Sequence, residues 1–158
     1  MKFLNKYTPY LNWLVLYGII IVVFGLGIDT GAMLPVILFL ANAAINVGNA
    51  FRLYTEKNED DLWKAIKITV FGLIPFYLLL FVFFMFLGSA SEDPEAASTA
   101  IIISTTIGGF VLLSNAFYGF GYARLKNLGI VHLILPFAFV LNVFDAIYLL
   151  FRFHVKHN

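Results

Sequence analysis

Long apolar stretches alternate with short polar segments along the chain. Charged residues are almost confined to the segments between these stretches. Each stretch is close to the roughly 20 residues that an α-helix needs to cross the apolar layer of a bilayer. The pattern therefore predicts an all-α fold, a polytopic membrane helical bundle of five transmembrane helices in a single domain, 1–158, with spans at about 9–28, 32–51, 66–88, 98–122 and 128–151.

The distribution of basic residues predicts the orientation of these helices. With the N-terminus in the cytoplasm, eight of the ten Lys and Arg residues lie on the cytoplasmic side, as the positive-inside rule favours. The segment 89–99 is acidic, which suits an external loop. The basic tail 152–156 lies on the disfavoured side, so four spans, with a last stretch that does not cross, is the alternative. We expect a multi-pass protein of the cell membrane, in the cytoplasmic membrane of a bacterium.

The composition narrows the expected partners. With 61% hydrophobic and 12% charged residues, the chain has too few polar groups to cover a surface in water, so the lipid bilayer is the first expected partner. The basic residues are scattered, which argues against nucleic acid as a partner. Cysteine is absent, which removes thiolate metal sites and thiol nucleophiles. We expect no cofactor and no metal site.

The largest polar segment, 52–67, contains the signature of a helix start. Asn58 precedes three acidic residues, Glu59, Asp60 and Asp61. An Asn side chain can accept a hydrogen bond from the free backbone N–H groups of a first helical turn, and acidic residues in that turn are favoured by the helix dipole. The sequence therefore predicts a helix that begins just after Asn58.

One face of the second stretch is polar. Asn42, Asn46 and Asn49 are four and three residues apart, which is the spacing of neighbours on one helix face. An amide in such a place needs a neighbouring helix, backbone carbonyls or water as its partner. Asn115 lies on a comparable face of the fourth stretch, among small residues that allow close helix packing. These amides form either hydrogen bonds between helices or one wall of a polar pathway.

The last stretch holds the strongest candidate for a functional group, Asp145. A carboxylate in an apolar segment needs a partner, water or a bound proton, and Asn142 lies on the same side of the helix. A packing ion pair near the end of the helix is the alternative. In one continuous helix, His132 would lie about 20 Å from Asp145 and point in roughly the opposite direction. We therefore predict that these two side chains do not form a direct pair.

Three fragments resemble, in order, the signature blocks of lipoprotein signal peptidase, a membrane aspartyl protease. They are Ile28-Asp29-Thr30-Gly31, Asn46-Val47-Gly48-Asn49-Ala50-Phe51 and Asn142-Val143-Phe144-Asp145-Ala146-Ile147. The resemblance implies that Asp145 is one of two catalytic carboxylates. In the region 124–134, where the second catalytic carboxylate would lie, this chain has His132 instead. Because an aspartyl mechanism needs two carboxylates that share a proton, an intramembrane peptidase is a minor alternative.

No motif indicates a reaction, so we expect no enzymatic activity and no catalytic residue. The leading hypothesis is a small non-enzymatic membrane protein that acts through helix–helix contacts with a membrane protein partner or with a second copy, as an accessory, regulatory or immunity-type component. The alternative is a small oligomeric transporter or channel with a pathway lined by Asn and Asp. The candidate site is one polar intramembrane face, formed by Asn42, Asn46, Asn49, Asn115, Asn142 and Asp145.

Overall fold

The computed structural model describes residues 2–20, 33–90, 109, 113, 115–138 and 141–153, and these residues are almost entirely helical. No β-strand occurs within these ranges, so the all-α part of the predicted fold is confirmed for them. A 3-10 turn, Leu135–Phe137, separates the last two helices. The helices are α1 (Lys2–Ile20), α2 (Met33–Thr55), α3 (Glu59–Ala90), α4 (115–125), α5 (Ile130–Ile134) and α6 (Leu141–Phe153).

The turn between α2 and α3 is built as the sequence predicts. The Asn58 side chain accepts a hydrogen bond from the backbone N–H of Asp61 at 3.1 Å and donates one to the Asp61 carboxylate at 2.8 Å. The helix therefore starts at Glu59, and the prediction of an Asn58 cap is confirmed. Before it, Lys57 closes α2 in the left-handed region with φ of 53°.

The end of α4 repeats this backbone arrangement. Asn127 has φ of 51°, and the next N–H, that of Leu128, donates back to the carbonyl of Ala123 at 3.0 Å. After α2, the Asn58 N–H donates in the same way to the carbonyl of Leu53 at 2.9 Å. A left-handed residue followed by such a bond is the Schellman ending of a helix, which satisfies carbonyls that would otherwise lack a partner.

The apolar core lies where α2, α3, α4 and α6 meet. Trp63 and Tyr122 lie with their ring centroids 5.7 Å apart, and Tyr122 also packs edge-on against Phe153 at 5.6 Å. A Lys126–Glu59 ion pair joins the end of α4 to the start of α3. The fully buried side chains of this cluster include Leu53, Leu62, Ile66, Tyr118, Tyr122 and Leu149.

Helix α1 packs against both α2 and α3. Its Trp13 ring lies directly over Gly72 of α3, because a Cβ atom at that glycine would come within 1.9 Å of the indole ring. The Tyr17 hydroxyl lies 3.5 Å from the Gly72 carbonyl oxygen. The absence of a side chain at position 72 is therefore what lets Trp13 lie this close to α3.

The last apolar stretch does not form the single helix predicted for 128–151. It forms the five-residue helix α5, the 3-10 turn that contains Pro136, and then the separate helix α6. Ala138 is extended, with φ of −87° and ψ of 122°. Proline lacks a backbone N–H and clashes with a preceding helical turn, which accounts for the break.

The prediction of a polytopic membrane bundle is contradicted. No helix in the described part of the chain is long and apolar enough to cross a membrane. One difference from the predicted spans contributes. Helix α6 has 13 residues, about 20 Å at 1.5 Å per residue, against the roughly 30 Å of a bilayer core.

This finding corrects the five-span and the four-span arrangement. It also corrects the orientation that was built on them and the description of the polar face as transmembrane. The spans predicted at 9–28 and 98–122 lie partly outside the described residues, as does the acidic segment 89–99.

Candidate functional site

The three asparagines of α2 point into the protein, as their spacing predicts. Asn42, Asn46 and Asn49 are 5%, 0% and 6% exposed. The Asn46 amide donates to both the backbone carbonyl and the side-chain oxygen of Asn42, at 3.0 and 3.1 Å. The amides therefore bind one another along the helix, one turn apart.

Tyr118 of α4 links these amides across to a second helix. Its hydroxyl donates to the Asn46 side-chain oxygen at 3.0 Å and accepts from the Asn49 amide at 3.1 Å. The Asn49 oxygen in turn accepts from Arg52 at 2.8 Å. The result is a continuous hydrogen-bonded chain, which we call the Asn–Tyr network and which consists of Asn42, Asn46, Asn49, Arg52 and Tyr118.

Sequence reasoning did not identify Tyr118 as part of this site. The tyrosine is fully buried, and burial raises its pKa well above the ordinary value of 10, although the bond from Asn49 and the charge of Arg52 act in the opposite direction. Its hydroxyl therefore stays protonated and can donate and accept at once. Its position three residues after Asn115 was the signal that could have drawn attention to it.

Asn115 joins α4 to a different helix. Its side-chain oxygen accepts a hydrogen bond from the Thr69 hydroxyl of α3 at 3.2 Å, and both residues are buried. The predicted polar face is thus divided: the α2 asparagines bond towards α4, while Asn115 bonds towards α3.

The largest departure from the sequence prediction is a direct contact between His132 and Asp145. The His132 Nδ1 atom lies 2.5 Å from the Asp145 Oδ1 atom. The pair forms because the break at Pro136 lets α5 fold back towards α6, so the distance along one straight helix no longer applies. The prediction that these two side chains do not pair rested on a continuous helix and is wrong.

The two partners differ in their access to the surface. The Asp145 side chain is 1% exposed and that of His132 is 19% exposed. The Oδ2 atom of Asp145 is buried without a hydrogen-bond partner. Burial raises the pKa of Asp145, and the hydrogen bond and charge of His132 oppose this rise only in part. Asn142, one turn earlier on α6, is buried as well.

Tyr148 and Arg152 extend the pair along α6. The His132 and Tyr148 rings are stacked, with centroids 5.0 Å apart and planes 8° from parallel. Arg152 donates to the Tyr148 hydroxyl at 2.5 Å. We call these four residues, His132, Asp145, Tyr148 and Arg152, the His–Asp cluster.

The acid–base chemistry of this cluster comes from the carboxyl group of Asp145 and the imidazole of His132. Asp145 can hold the imidazole in place through Nδ1, as carboxylates do in proteins that use histidine as a base. In the described part of the chain, the carboxyl group of Asp145 makes no hydrogen bond with a second carboxylate, and no grouping of three metal-ligating side chains occurs there. The pair can thus hold and release a proton.

These features define a protein whose described part is helical, with a buried Asn–Tyr network and a His–Asp cluster that extends from buried Asp145 to the surface. The chain belongs to a family described as a family of unknown function (DUF6652), which matches residues 3–155. No curated protein matches the chain. No solved structure matches it either.

Proposed function

We propose that this protein acts without catalysing a reaction, through contacts between its helices and an apolar helix of a second protein chain, as an accessory or regulatory component. The observation that carries the proposal is the exposure of large apolar side chains on several helices. Between 64% and 81% of the surface is exposed in the most open of them, which include Leu14, Phe51, Phe71, Ile130, Phe144 and Phe151.

Exposed apolar side chains in this number point to a partner. Large apolar patches on a folded protein mark surfaces that another molecule covers, because burying one such side chain stabilises a complex by about 1.5–3 kcal/mol. Phe51 and Phe71 offer no hydrogen-bond donor or acceptor. The partner surface that suits them is therefore apolar, such as one face of an amphipathic helix.

The arrangement of the polar groups supports the same role. The three asparagines of α2 that could line a pathway are buried and bonded to one another and to Tyr118, so they act as contacts between helices. A pathway would need amide groups that face an open route. The Asn–Tyr network thus favours packing over transport.

Site-specific photo-crosslinking tests the proposal. A photoreactive phenylalanine analogue is placed at position 51 or 71 of the full chain in the cells that make the protein, and adducts are identified by mass. We expect one discrete adduct from each position. An adduct at twice the chain mass of 17.8 kDa identifies a second copy, and another mass identifies a different partner.

Position 124 provides the control, because Arg124 is an exposed charged residue on a different helix, α4. The analogue at this polar position should give no discrete adduct. The proposal fails if neither phenylalanine position yields an adduct, or if position 124 yields the same one.

A further inference from the structure

A groove lies between α1 and α3, close to the start of α3. Its volume is about 250 Å³, and the buried residues Pro9 and Ala65 are part of its lining. Tyr10 of α1 and Phe71 of α3 border it and are 51% and 74% exposed, so the groove opens to the surface. We call this feature the α1–α3 groove.

The α3 side of the groove is basic at one end and apolar at the other. Lys64, Lys67 and Phe71 all line it, and they are three and four residues apart, which places them on one face of α3. Two ammonium groups are thus followed, about one turn later, by an aromatic ring. A ligand that matches both ends has an anionic head and an apolar body.

The positive charge of Lys67 is not balanced at the groove. Asp61 also lines it, but its carboxylate accepts from the Asn58 amide at 2.8 Å and pairs with Lys64 at 3.5 Å. Lys67 forms no ion pair with any described residue, and its ammonium lies 5.4 Å from the centre of the Trp63 ring. An aromatic ring attracts a cation but does not neutralise it. The groove therefore favours an anion beside Lys67.

The groove is narrow because α1 and α3 touch just beyond Phe71. A Cβ atom at Gly72 would come within 1.9 Å of the Trp13 ring, so the two helices are in direct contact there. A helix with its side chains is about 10–12 Å wide and could not enter such a space, whereas a single unbranched chain could. The volume is also slightly below the roughly 300–1,000 Å³ of most ligand pockets, which favours a short ligand.

We propose that the α1–α3 groove binds a free acyl carboxylate of medium chain length. The carboxylate lies beside the Lys67 ammonium, and the apolar chain lies against Pro9, Ala65 and Phe71, where each buried methylene group adds to the affinity. This inference does not rest on the proposed function. Phe51 lies on α2 and does not line the groove, so crosslinking from position 51 tests that function separately.

Isothermal titration calorimetry of the full chain tests the proposal with octanoate and octanol. The two ligands have the same chain, but only octanoate is charged at about pH 7. The variant Lys67→Met keeps an apolar stem and removes the ammonium. We expect it to weaken octanoate binding by about fivefold, the upper end for an ion pair that water can reach, and to leave octanol binding unchanged.

Phe71→Ala tests the apolar end of the groove. Both ligands should bind several-fold more weakly to this variant, because they lose the same contact. Two controls change similar side chains elsewhere: Ile45→Ala truncates a half-exposed apolar residue on α2, and Arg124→Met removes an exposed charge on α4. Neither control should alter the binding of octanoate or octanol.

Photolabelling of the wild type keeps the proposal testable if a variant does not fold, as judged by circular dichroism. An octanoate analogue with a diazirine on its chain should label peptides that contain Tyr10 or Phe71. The proposal is overturned if the wild type does not bind octanoate, or if the label lies outside α1 and α3. It is also overturned if folded Lys67→Met binds octanoate as the wild type does, or loses octanoate and octanol binding equally.

Discussion

The buried polar side chains of the Asn–Tyr network have fixed hydrogen-bond partners inside the fold. The Tyr118 hydroxyl has the most demanding position, because it donates to Asn46 and accepts from Asn49 at the same time. Neither amide could turn to water without breaking the packing around it, since both are buried. The hydroxyl thus contributes to stability because it satisfies the hydrogen-bonding groups of both buried amides.

Replacing this hydroxyl is expected to destabilise the protein strongly. The variant Tyr118→Phe keeps the ring but leaves an Asn46 oxygen and an Asn49 N–H without their partner. An unsatisfied buried polar group costs about 1–3 kcal/mol, so we expect a loss of at least that size in the free energy of unfolding. Chemical denaturation followed by circular dichroism measures it.

Tyr148→Phe is the control for this prediction. It removes a hydroxyl that is bonded to Arg152, but Tyr148 is 44% exposed and water can replace the lost bond. We expect a change within about 0.5 kcal/mol. Equal losses in the two variants would show that the Asn–Tyr network does not carry the stability assigned to it.

At the scale of the helices, the contact between α1 and α3 depends on Gly72. A methyl group there would lie 1.9 Å from the Trp13 ring, so Trp13 or the helix itself must move. Alanine is otherwise the better helix residue by about 1 kcal/mol. The two effects have opposite signs, and the overlap with a rigid ring is the larger one.

We therefore expect Gly72→Ala to lower the free energy of unfolding by about 1–3 kcal/mol, the usual cost of overpacking. Gly48→Ala is the control, because a Cβ atom at that exposed helical position meets nothing within 4 Å. This control should stabilise the protein by about 0.5–1 kcal/mol. A stabilised Gly72→Ala variant would mean that Trp13 is not packed against α3 in this way.

The helix ends offer a stabilising change. Lys57 holds a left-handed backbone conformation that costs a residue with a Cβ atom about 1–2 kcal/mol and costs glycine little. We expect Lys57→Gly to stabilise the protein by about 0.5–1 kcal/mol in thermal or chemical unfolding. Asn127→Gly should gain less, because Asn tolerates this conformation. A loss of stability in Lys57→Gly would contradict the turn geometry.

For the molecule as a whole, the sequence predicted the features that depend on spacing within one helix. The burial of Asn42, Asn46 and Asn49 follows from their common face, and the start of α3 follows from Asn58. Both depend on residues within two turns of each other. Such features are local, so one sequence suffices to predict them.

Features that depend on how segments meet could not be predicted in the same way. The role of Tyr118 requires the relative position of α2 and α4, which no local pattern contains. The His132–Asp145 contact requires the break at Pro136. Pro9 and Pro75 lie inside helices that continue past them, so proline alone does not say which stretch will break.

The transmembrane prediction went wrong for a related reason. Apolar length predicted the length of a helix, but the last apolar stretch is divided into two helices at the turn that contains Pro136. Hydrophobicity predicts that a stretch is buried or covered. It does not predict where its helices start and stop.

The Asn–Tyr network also sets the register between α2 and α4. The Tyr118 hydroxyl bonds at 3.0 and 3.1 Å to two asparagines that lie about 4.5 Å apart along the axis of α2, so sliding one helix past the other carries the hydroxyl away from at least one of them. Movement of α2 relative to α4 is thereby restricted to changes that keep this alignment. The two helices are therefore held in one alignment by the side chains between them.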